Sequence, residues 1–386
     1  MRRWVLWLMT VLLAACAAKP VVPTTSTQVL FNDGAFAPPA ERIDPASVFE
    51  MTPAMREYYD QVVEPMQRRQ GMQRGLIEAL YTSDRLKLRY DNEFTRGAAQ
   101  AFEARAGNCM SLVIMTAAFA KHAGMPVRYQ SVFVDPTWGR RGDLYFTFGH
   151  VNVSLGRLLT RMPGADFGRP DWLTIDFLPQ ADLRGQRFEL VDEETLVAMY
   201  FNNRAAEAMA ANRLDEAYWY ARAAIRQDPQ LLIAYNTLGV VYRRHGNIDD
   251  SERVLRFALA LEPRNTNVMG NLAQLLADRG QHEESQQLLA TLAKLQPDPP
   301  FKHFNEGLEA MRRADYRAAR SAFERELRRD PDYHEFHFWL ALAHLHLGDA
   351  AQARKHLAIA AENSGTREDQ MRYSAKLSKL KAAAVH

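Results

Sequence analysis

Cysteine is scarce in this sequence of 386 residues, which contains only two, Cys16 and Cys109. A small domain held together by disulfide bonds needs more, so a disulfide framework is excluded. A strong charge of one sign is also lacking, because 48 basic and 46 acidic side chains leave a formal net charge of +2. This balance gives no support for a nucleic-acid partner, and we expect none.

The sequence also lacks the short motifs of the commonest cofactor sites. It contains no P-loop, no glycine fingerprint for a dinucleotide, and no His-Glu-x-x-His or cysteine pair for zinc. Histidines do recur at His334, His337, His344 and His346, but the aromatic and aliphatic residues among them favour core packing over a metal site. We therefore expect neither a metal nor a cofactor.

A strongly apolar run occupies the N-terminus. Two arginines precede Trp4–Ala15, a run that is too short to span a bilayer and is typical of a signal peptide. The motif Leu13-Ala14-Ala15-Cys16 resembles a bacterial lipobox. This resemblance implies a signal peptide over 1–15, a lipid anchor on Cys16 and, with Ala17 next, an outer-membrane lipoprotein that faces the periplasm of a Gram-negative bacterium. The alternative is an ordinary secretory signal with a chance cysteine.

Residues 16–46 are rich in proline, serine, threonine and alanine. Such a composition is typical of linkers without a packed core. It predicts a flexible tether between the lipidated Cys16 and the folded part of the chain.

A 34-residue period runs through the C-terminal half, where prolines recur at Pro229, Pro263, Pro297 and Pro331. Small residues keep the same period at Gly239, Ala273, Gly307 and Ala341, and again at Gly246, Gly280, Ala314 and Gly348. Small side chains let two helices approach, and a proline ends the second helix. The pattern resembles the tetratricopeptide repeat (TPR) family. This resemblance implies an all-α TPR solenoid with five units at 198–231, 232–265, 266–299, 300–333 and 334–367, and a capping helix over 368–386.

TPR arrays bind protein or peptide ligands, and the resemblance implies that the first helix of each unit lines the groove. Asn202 and Asn236 occupy equivalent places on two first helices, where their amides could hold a peptide backbone. Arg243 and Arg244 follow and could meet a carboxylate. The alternative is that all four are ordinary solvated helix residues.

Residues 47–195 lack the repeat. The sequence predicts helices over Pro53–Arg69, Gly71–Thr82, Thr95–Ala104 and Met110–His122, and strands over Val127–Asp135, Leu144–Leu155 and Trp172–Phe177. Cys109 comes directly before the most apolar helix, with Asn108 as its N-cap. A helix N-terminus favours a thiolate and supplies N–H donors for an oxyanion. A buried structural cysteine is the alternative.

Five fragments between about Gly75 and Phe177 resemble the transglutaminase-like, papain-related cysteine enzymes. They are Leu88-Arg89-Tyr90-Asp91, Arg105-Ala106-Gly107-Asn108-Cys109, Gly124-Met125-Pro126-Val127-Arg128-Tyr129, Phe148-Gly149-His150-Val151-Asn152-Val153 and Trp172-Leu173-Thr174-Ile175-Asp176. The resemblance implies an α+β transglutaminase-like domain over 47–195, with a central helix packed on an antiparallel sheet.

The same resemblance implies a catalytic triad. Cys109 would be the nucleophile, His150 the general base and Asp176 the residue that orients the imidazole. Weaker candidates for substrate or oxyanion contacts are Asn108, Met110, Tyr90 and Asn152. The family commonly has tryptophan at the position of Asn152. Because of this difference, the resemblance does not predict which molecule accepts the acyl group.

The expected function is an envelope-anchored cysteine-dependent acyl-transfer enzyme, a peptidase or amidase that acts on a partner recruited by the repeats. One alternative is a non-catalytic TPR adaptor for envelope protein assembly. The other is a protein cross-linking transglutaminase.

Overall fold

The computed structural model describes residues 27–82, 86, 88–91, 94–141, 144–157, 171–177, 187–364 and 366–383. The predicted signal peptide 1–15 and the predicted lipidation site Cys16 lie outside these residues. Contacts divide the described chain into two compact bodies. One contains residues 27–45 and 192–295, and the other contains residues 46–191 and 296–383.

The N-terminal segment is folded where the sequence predicts a flexible tether. Short 3₁₀ helices cover Gln28–Leu30, Asp33–Ala35 and Pro45–Phe49. Leu30 is 1% exposed and Phe36 is 5% exposed, and the Phe36 ring packs on aromatic rings of the repeat helices. The tether prediction over 16–46 is therefore corrected for residues 27–46, because buried apolar side chains hold this segment in place.

The helices of residues 46–191 are short except for the last. They are α1 (Pro53–Tyr58), α2 (Glu64–Gln70), α3 (Met72–Ile77), α4 (Ala98–Ala104) and α5 (Cys109–His122). Single π-helical turns extend α1 over Tyr59–Val63 and α3 over Glu78–Thr82. In α5, every residue from Met110 to Ala120 is buried, so other parts of the chain enclose this helix on all sides.

An antiparallel sheet packs against α5. Its strands are β3 (Val127–Arg141), β4 (Leu144–Gly156), β5 (Trp172–Ile175) and β6 (Arg187–Val191), in the order β5–β4–β3–β6. Strand β3 is longer than predicted, and β6 was not predicted. A separate parallel pair joins β1 (Arg89–Tyr90) to β2 (Ala106–Gly107). The central β4 contacts α5, which places β4 side chains beside the start of that helix.

Helices follow one another from residue 193 to residue 383. They are α6 (Glu193–Ala210), α7 (Leu214–Gln227), α8 (Leu232–His245), α9 (Ile248–Leu261), α10 (Thr266–Asp278), α11 (His282–Leu295), α12 (Lys302–Arg312), α13 (Tyr316–Leu327), α14 (His334–His346), α15 (Ala350–Glu362) and α16 (Arg367–Ala383). Consecutive helices pair as α6–α7, α8–α9, α10–α11, α12–α13 and α14–α15. The described chain is mostly helical.

Small residues at the 34-residue period are required where paired helices touch. A Cβ on Gly239 would lie 2.6 Å from Leu255, and one on Gly307 would lie 2.4 Å from Phe323. Ser251 on α9 also donates a hydrogen bond from Oγ to the Gly239 carbonyl at 2.7 Å. Close approach and a buried hydrogen bond therefore join the two helices of this pair.

The second small-residue register marks the turns between paired helices. Gly246, Gly280 and Gly348 have φ values of 95°, 76° and 82°, and Ala314 has a φ of 57°. Asn212, one period earlier, has a φ of 58°. Glycine and asparagine adopt this left-handed region most readily, which explains the residue types of the register.

Among the described residues, no helix combines the length and the apolar character that a membrane crossing requires.

Candidate functional site

The start of α5 is held by a network of polar side chains. The side-chain Oδ1 of Asn108 accepts hydrogen bonds from the Ser111 backbone N–H at 2.9 Å and from the Ser111 hydroxyl at 2.8 Å. The Asn108 amide donates to the Thr95 hydroxyl at 2.9 Å. A Cβ on Gly107 would lie 2.6 Å from the Ser111 Cβ. Asn108 is therefore the N-cap of the helix that begins at Cys109.

Tyr90 lies beside Cys109 because β1 pairs with β2. The register sets Tyr90 against Gly107, and the Asp91 N–H donates to the Gly107 carbonyl at 3.1 Å. The Cys109 backbone N–H donates to the Tyr90 hydroxyl. Burial of this hydroxyl, together with the nearby charges of Cys109 and Asp176, raises the pKa of Tyr90 to about 12. Tyr90 thus stays protonated and has a proton to donate near the thiol.

His150 and Asp176 are hydrogen-bonded across neighbouring strands. Val153 of β4 pairs with Ile175 of β5, so the residue that follows β5 comes close to His150. The His150 Nε2 and the Asp176 Oδ2 are 2.6 Å apart, and His150 is only 3% exposed. This contact leaves the other ring nitrogen, Nδ1, for a second partner.

The thiol of Cys109 lies near Asp176 and against the backbone of β4. Backbone N–H groups of Val151 and Met110 donate to the sulfur, and Val151 is the residue after His150. Burial raises the pKa of the Cys109 thiol above its usual value, and the negative charge of Asp176 adds to this effect, while the two N–H donors oppose it. The sequence predicts a favoured thiolate, but in this structure desolvation outweighs the helix N-terminus.

Asn152 presents an unused acceptor on the same face of β4 as His150. It is 4% exposed, and its Oδ1 atom is buried with no hydrogen-bond partner among the described residues. A buried carbonyl oxygen without a partner is costly unless a water or a ligand satisfies it. Asn152 therefore stays a candidate for a substrate contact.

Three further residues support the site and carry no motif of their own. Tyr81 hydrogen-bonds Thr116 on α5, and its ring lies 5.1 Å from that of Phe177, the neighbour of Asp176. These contacts connect the central helix to the chain that carries Asp176. Sequence reasoning missed them because an aromatic contact between such distant positions has no local signal.

The predicted groove residues of the repeats have different surroundings. Asn202 is 6% exposed, and its Oδ1 accepts a hydrogen bond from the Thr237 hydroxyl at 2.8 Å. The Asn236 Oδ1 accepts a hydrogen bond from the Asn271 amide at 2.8 Å. Both amides thus link successive first helices, whereas Arg243 is partly exposed near the end of α8.

The histidines of α14 pack as the sequence predicts. The His337 Nδ1 lies 2.9 Å from the Nδ1 of His356 on α15, and the His337 Nε2 lies 2.8 Å from the Pro331 carbonyl oxygen. Burial, followed by the charges of His337 and His344, lowers the pKa of His356 to about 4. Over the described part of the chain, no group of three potential ligands is placed to hold a metal ion.

Comparison with known families decides the character of the helical pairs. Two family models, both described as tetratricopeptide repeat, match residues 243–304 and 304–368. The chain contains TPR repeats. The TPR pattern read from the 34-residue period is confirmed over these residues.

Curated relatives share the repeats over part of their length. A TPR repeat-containing protein of Pseudomonas aeruginosa is 28% identical over 177 residues, which cover 44% of this chain and 30% of that protein. The protein STIP1 homolog of Dictyostelium discoideum is 26% identical over 151 residues, which cover 37% of this chain and 25% of that protein. The chain thus spans less than a third of the length of either relative.

Solved structures of TPR proteins align with about half of the chain. The thermophilic TPR protein TTC0263 of Thermus thermophilus is 20% identical, with 47% of this chain and 98% of that chain covered and a TM-score of 0.33. PilF of Pseudomonas aeruginosa is also 20% identical, with 50% of this chain and 87% of that chain covered and a TM-score of 0.32.

Proposed function

We propose that the chain is an adaptor that binds a protein or peptide partner through its TPR repeats. The observation that carries this proposal is the match of both TPR family models to adjacent stretches of the helical pairs. Arrays of this kind offer extended surfaces for other chains. Arg243 and Ile233 are the available first-helix residues on α8, and Ile233 is 37% exposed although it is apolar.

Site-specific photo-crosslinking in cells tests the adaptor role. A photoreactive amino acid at Ile233 or Arg243 should give discrete adducts with one partner. The same group at Leu289, which is 48% exposed on the second helix α11, is the matched control and should give none. Equal adduct patterns from all three positions would contradict binding through the first helices.

A second candidate function is cysteine-dependent acyl transfer, and the 2.6 Å contact between His150 and Asp176 favours it. An imidazole whose Nε2 is held by a carboxylate has its tautomer fixed, with Nδ1 as the proton acceptor. Cys109 lies beside this pair at the start of an enclosed helix. The transglutaminase-like resemblance supports the same assignment, whereas the comparisons favour the adaptor.

In this reaction the Cys109 sulfur attacks an amide or ester carbonyl. His150 accepts the thiol proton as the C–S bond forms, because the raised thiol pKa favours a protonated Cys109 in the resting site. In the resting site the Met110 N–H donates to the sulfur and the Cys109 N–H donates to the Tyr90 hydroxyl. These N–H groups and the Tyr90 hydroxyl would turn to the oxyanion as it forms. His150 then protonates the leaving group as its bond to carbon breaks, and water hydrolyses the thioester.

Acylation by p-nitrophenyl acetate tests the candidate reaction in the Cys16→Ser chain, which keeps Cys109 as its one thiol. We expect a burst of one p-nitrophenolate per chain, absent in Cys109→Ala and slower by about a hundredfold in His150→Ala. His122→Ala, on the exposed end of the same helix, is the control and should leave the burst intact. A burst that is equally fast in His150→Ala would leave the adaptor as the function. A thioester that amines capture faster than water would instead favour a cross-linking transglutaminase.

We further propose that a lipid on Cys16 anchors the chain to the outer membrane, facing the periplasm. The lipobox-like Leu13-Ala14-Ala15-Cys16 supports this, since acyl chains can anchor a protein without a spanning helix. Mass spectrometry of the mature N-terminal peptide should show an acylated cysteine. A peptide that begins elsewhere, or a Cys16→Ser chain that fractionates unchanged with the membrane, would refute the anchor.

A further inference from the structure

An aromatic pocket on the repeat helices is filled by a residue from the N-terminus of the chain. We call residues Gln28–Ala37 the docked segment. The Phe36 ring stacks on that of Tyr218, with centroids 4.0 Å apart and planes at 1°. The rings of His245 and Tyr242 lie 4.3 Å and 5.7 Å from the same side chain. Phe36 is 5% exposed, so one phenylalanine occupies the pocket and gains both burial and stacking.

Beside the pocket, three repeat side chains contact an Asn-Asp pair. The Tyr218 hydroxyl accepts a hydrogen bond from the Asn32 N–H at 3.0 Å and donates one to the Asp33 Oδ1 at 2.6 Å. The Arg222 Nη2 donates to the Asp33 Oδ2 at 3.0 Å. The Asn32 amide donates to the Asp250 Oδ2 at 2.7 Å. The Asn32 amide NH₂ and both Asp33 carboxylate oxygens therefore have partners on the repeat helices, which is the basis of sequence-specific recognition.

Both ends of the docked segment are held through its backbone. The Tyr242 hydroxyl donates to the Leu30 carbonyl at 2.9 Å. The Trp219 Nε1 donates to the Ala37 carbonyl at 2.6 Å, and the Ala37 N–H donates to the Asp215 Oδ1 at 2.8 Å. Hydrogen bonds to the backbone can form with any sequence that adopts the same backbone conformation. The side chains of positions 32, 33 and 36 therefore supply the selectivity.

We propose that this face is a peptide-recognition site for a segment with the order Asn-Asp, two small residues, Phe, and that the docked segment is its resident, displaceable ligand. The contacting side chains lie on α7, at the end of α8 and at the start of α9. The site shares helix α8 with the proposed adaptor surface but includes neither Ile233 nor Arg243, the two positions that test the adaptor function.

Two observations indicate an exchangeable occupant. Asp33 is 45% exposed in its ion pair with Arg222, and the docked segment is held by side chains and short 3₁₀ turns without a strand ladder. Exposed ion pairs contribute little, so the attachment rests on the burial of Leu30 and Phe36 and on the high local concentration of a tethered segment. The buried Tyr218 and Tyr242 rings would face water in an empty pocket, which favours replacement by a competing segment over vacancy.

Binding of a labelled peptide with the sequence of residues 28–37 tests the proposal. A full-length chain with Asp33→Ala and Phe36→Ala releases its own segment and leaves every pocket residue unchanged. By fluorescence anisotropy, this chain should bind the peptide at least about tenfold more tightly than the wild type. Adding Arg222→Gln to the released chain should reverse the gain.

Matched peptides show whether the contacts described above are responsible. A Cβ on Gly34 meets nothing within 4 Å, so the Gly34→Ala peptide should bind like the parent, whereas the Phe36→Ala peptide should lose binding. The proposal is wrong if the released chain does not bind the peptide, if the wild type binds it equally well, or if both altered peptides behave alike.

Hydrogen exchange of the wild-type chain gives a second readout that needs no variant. The Asn32 and Ala37 amides should be protected, because each donates to a repeat side chain, and peptide at millimolar concentration should speed their exchange. If saturating peptide leaves the protection of these amides unchanged, the docked segment is permanently attached, and the proposal that it is displaceable is wrong.

Discussion

The repeats and the region around Cys109 differ in how far apart in sequence their essential contacts lie. In the repeats, Ser251 bonds the Gly239 carbonyl 12 residues away, and Ser285 does the same one period later with Ala273, again at a separation of 12. Around Cys109, the contact between His150 and Asp176 spans 26 residues. The site as a whole takes its residues from α5, from β4 and from the chain that follows β5. Stability in the repeats is thus a sum of local terms, whereas the Cys109 site exists only when the whole region is folded.

Removing a repeat core residue should have the largest effect. Phe323 is fully buried between α12 and α13, and Phe323→Ala should lower the free energy of unfolding by about 3–5 kcal/mol. Urea denaturation followed by circular dichroism measures this loss. Arg320→Ala, on an exposed face of the same helix, should change stability by less than about 0.5 kcal/mol. Similar losses in both variants would contradict a packed interface.

Gly239 and Gly270 both lie on first helices of repeat pairs, but only Gly239 lies close to the second helix of its pair. A methyl group on Gly239 would clash with Leu255, whereas one on Gly270 would meet Leu292 at an ordinary 3.7 Å. Gly239→Ala should therefore destabilise the chain by about 1–3 kcal/mol. Gly270→Ala should stabilise it by about 0.5–1 kcal/mol, because alanine favours a helix over glycine. Shifts of the same sign in the two denaturation midpoints would refute the close-approach explanation.

The pH dependence of Cys109 alkylation examines the other region. The thiol pKa is raised by burial and by the charge of Asp176, so less thiolate is present at neutral pH than for a free cysteine. Alkylation by iodoacetamide in the Cys16→Ser chain should accelerate only above the usual thiol pKa of about 8.5. Asp176→Asn removes the negative charge and should lower the thiol pKa, which increases the rate at pH 7.5 by up to about tenfold.

A rate plateau below pH 7 in the parent chain would contradict this prediction. Such a plateau would indicate a standing thiolate–imidazolium pair between Cys109 and His150.

The smallest expected effect lies in a repeat turn. Ala314 adopts a φ of 57° where the equivalent Gly280 and Gly348 also have positive φ. Ala314→Gly should stabilise the chain by about 0.5–1 kcal/mol, because the alanine side chain is strained in this conformation. The reverse change, Gly280→Ala, should destabilise it by a similar amount. A thermal midpoint that falls in Ala314→Gly would show that chain entropy outweighs the strain.

The sequence predicted the repeats well because their determinants are local. Each proline and small residue acts on a neighbouring helix, so the 34-residue period contains the structural information. Even so, the turn at Asn212 was missed, since asparagine there breaks the small-residue register while serving the same positive φ. In residues 47–191 the sequence predicted helix α5, the strand that carries His150 and the strand that ends just before Asp176, but it did not predict β6 or the contact of Tyr81 with Phe177.

The attachment of the docked segment to the repeat helices could not be predicted from the sequence, for a physical reason. Its composition favours a linker, and its partners lie far along the chain, with 186 residues between Asn32 and Tyr218. Nothing near residue 32 indicates an aromatic pocket on a distant helix. The raised pKa of the Cys109 thiol was not predicted for a related reason, because desolvation depends on everything packed around the thiol.

The enclosure of α5 limits what can happen to the sulfur at its start. A nucleophile on a surface loop can be repositioned by small shifts of its own backbone. Here the eleven residues that follow Cys109 are all buried, so the thiol cannot move without disturbing the interior. Heating would therefore inactivate the thiol and open the interior at the same temperature.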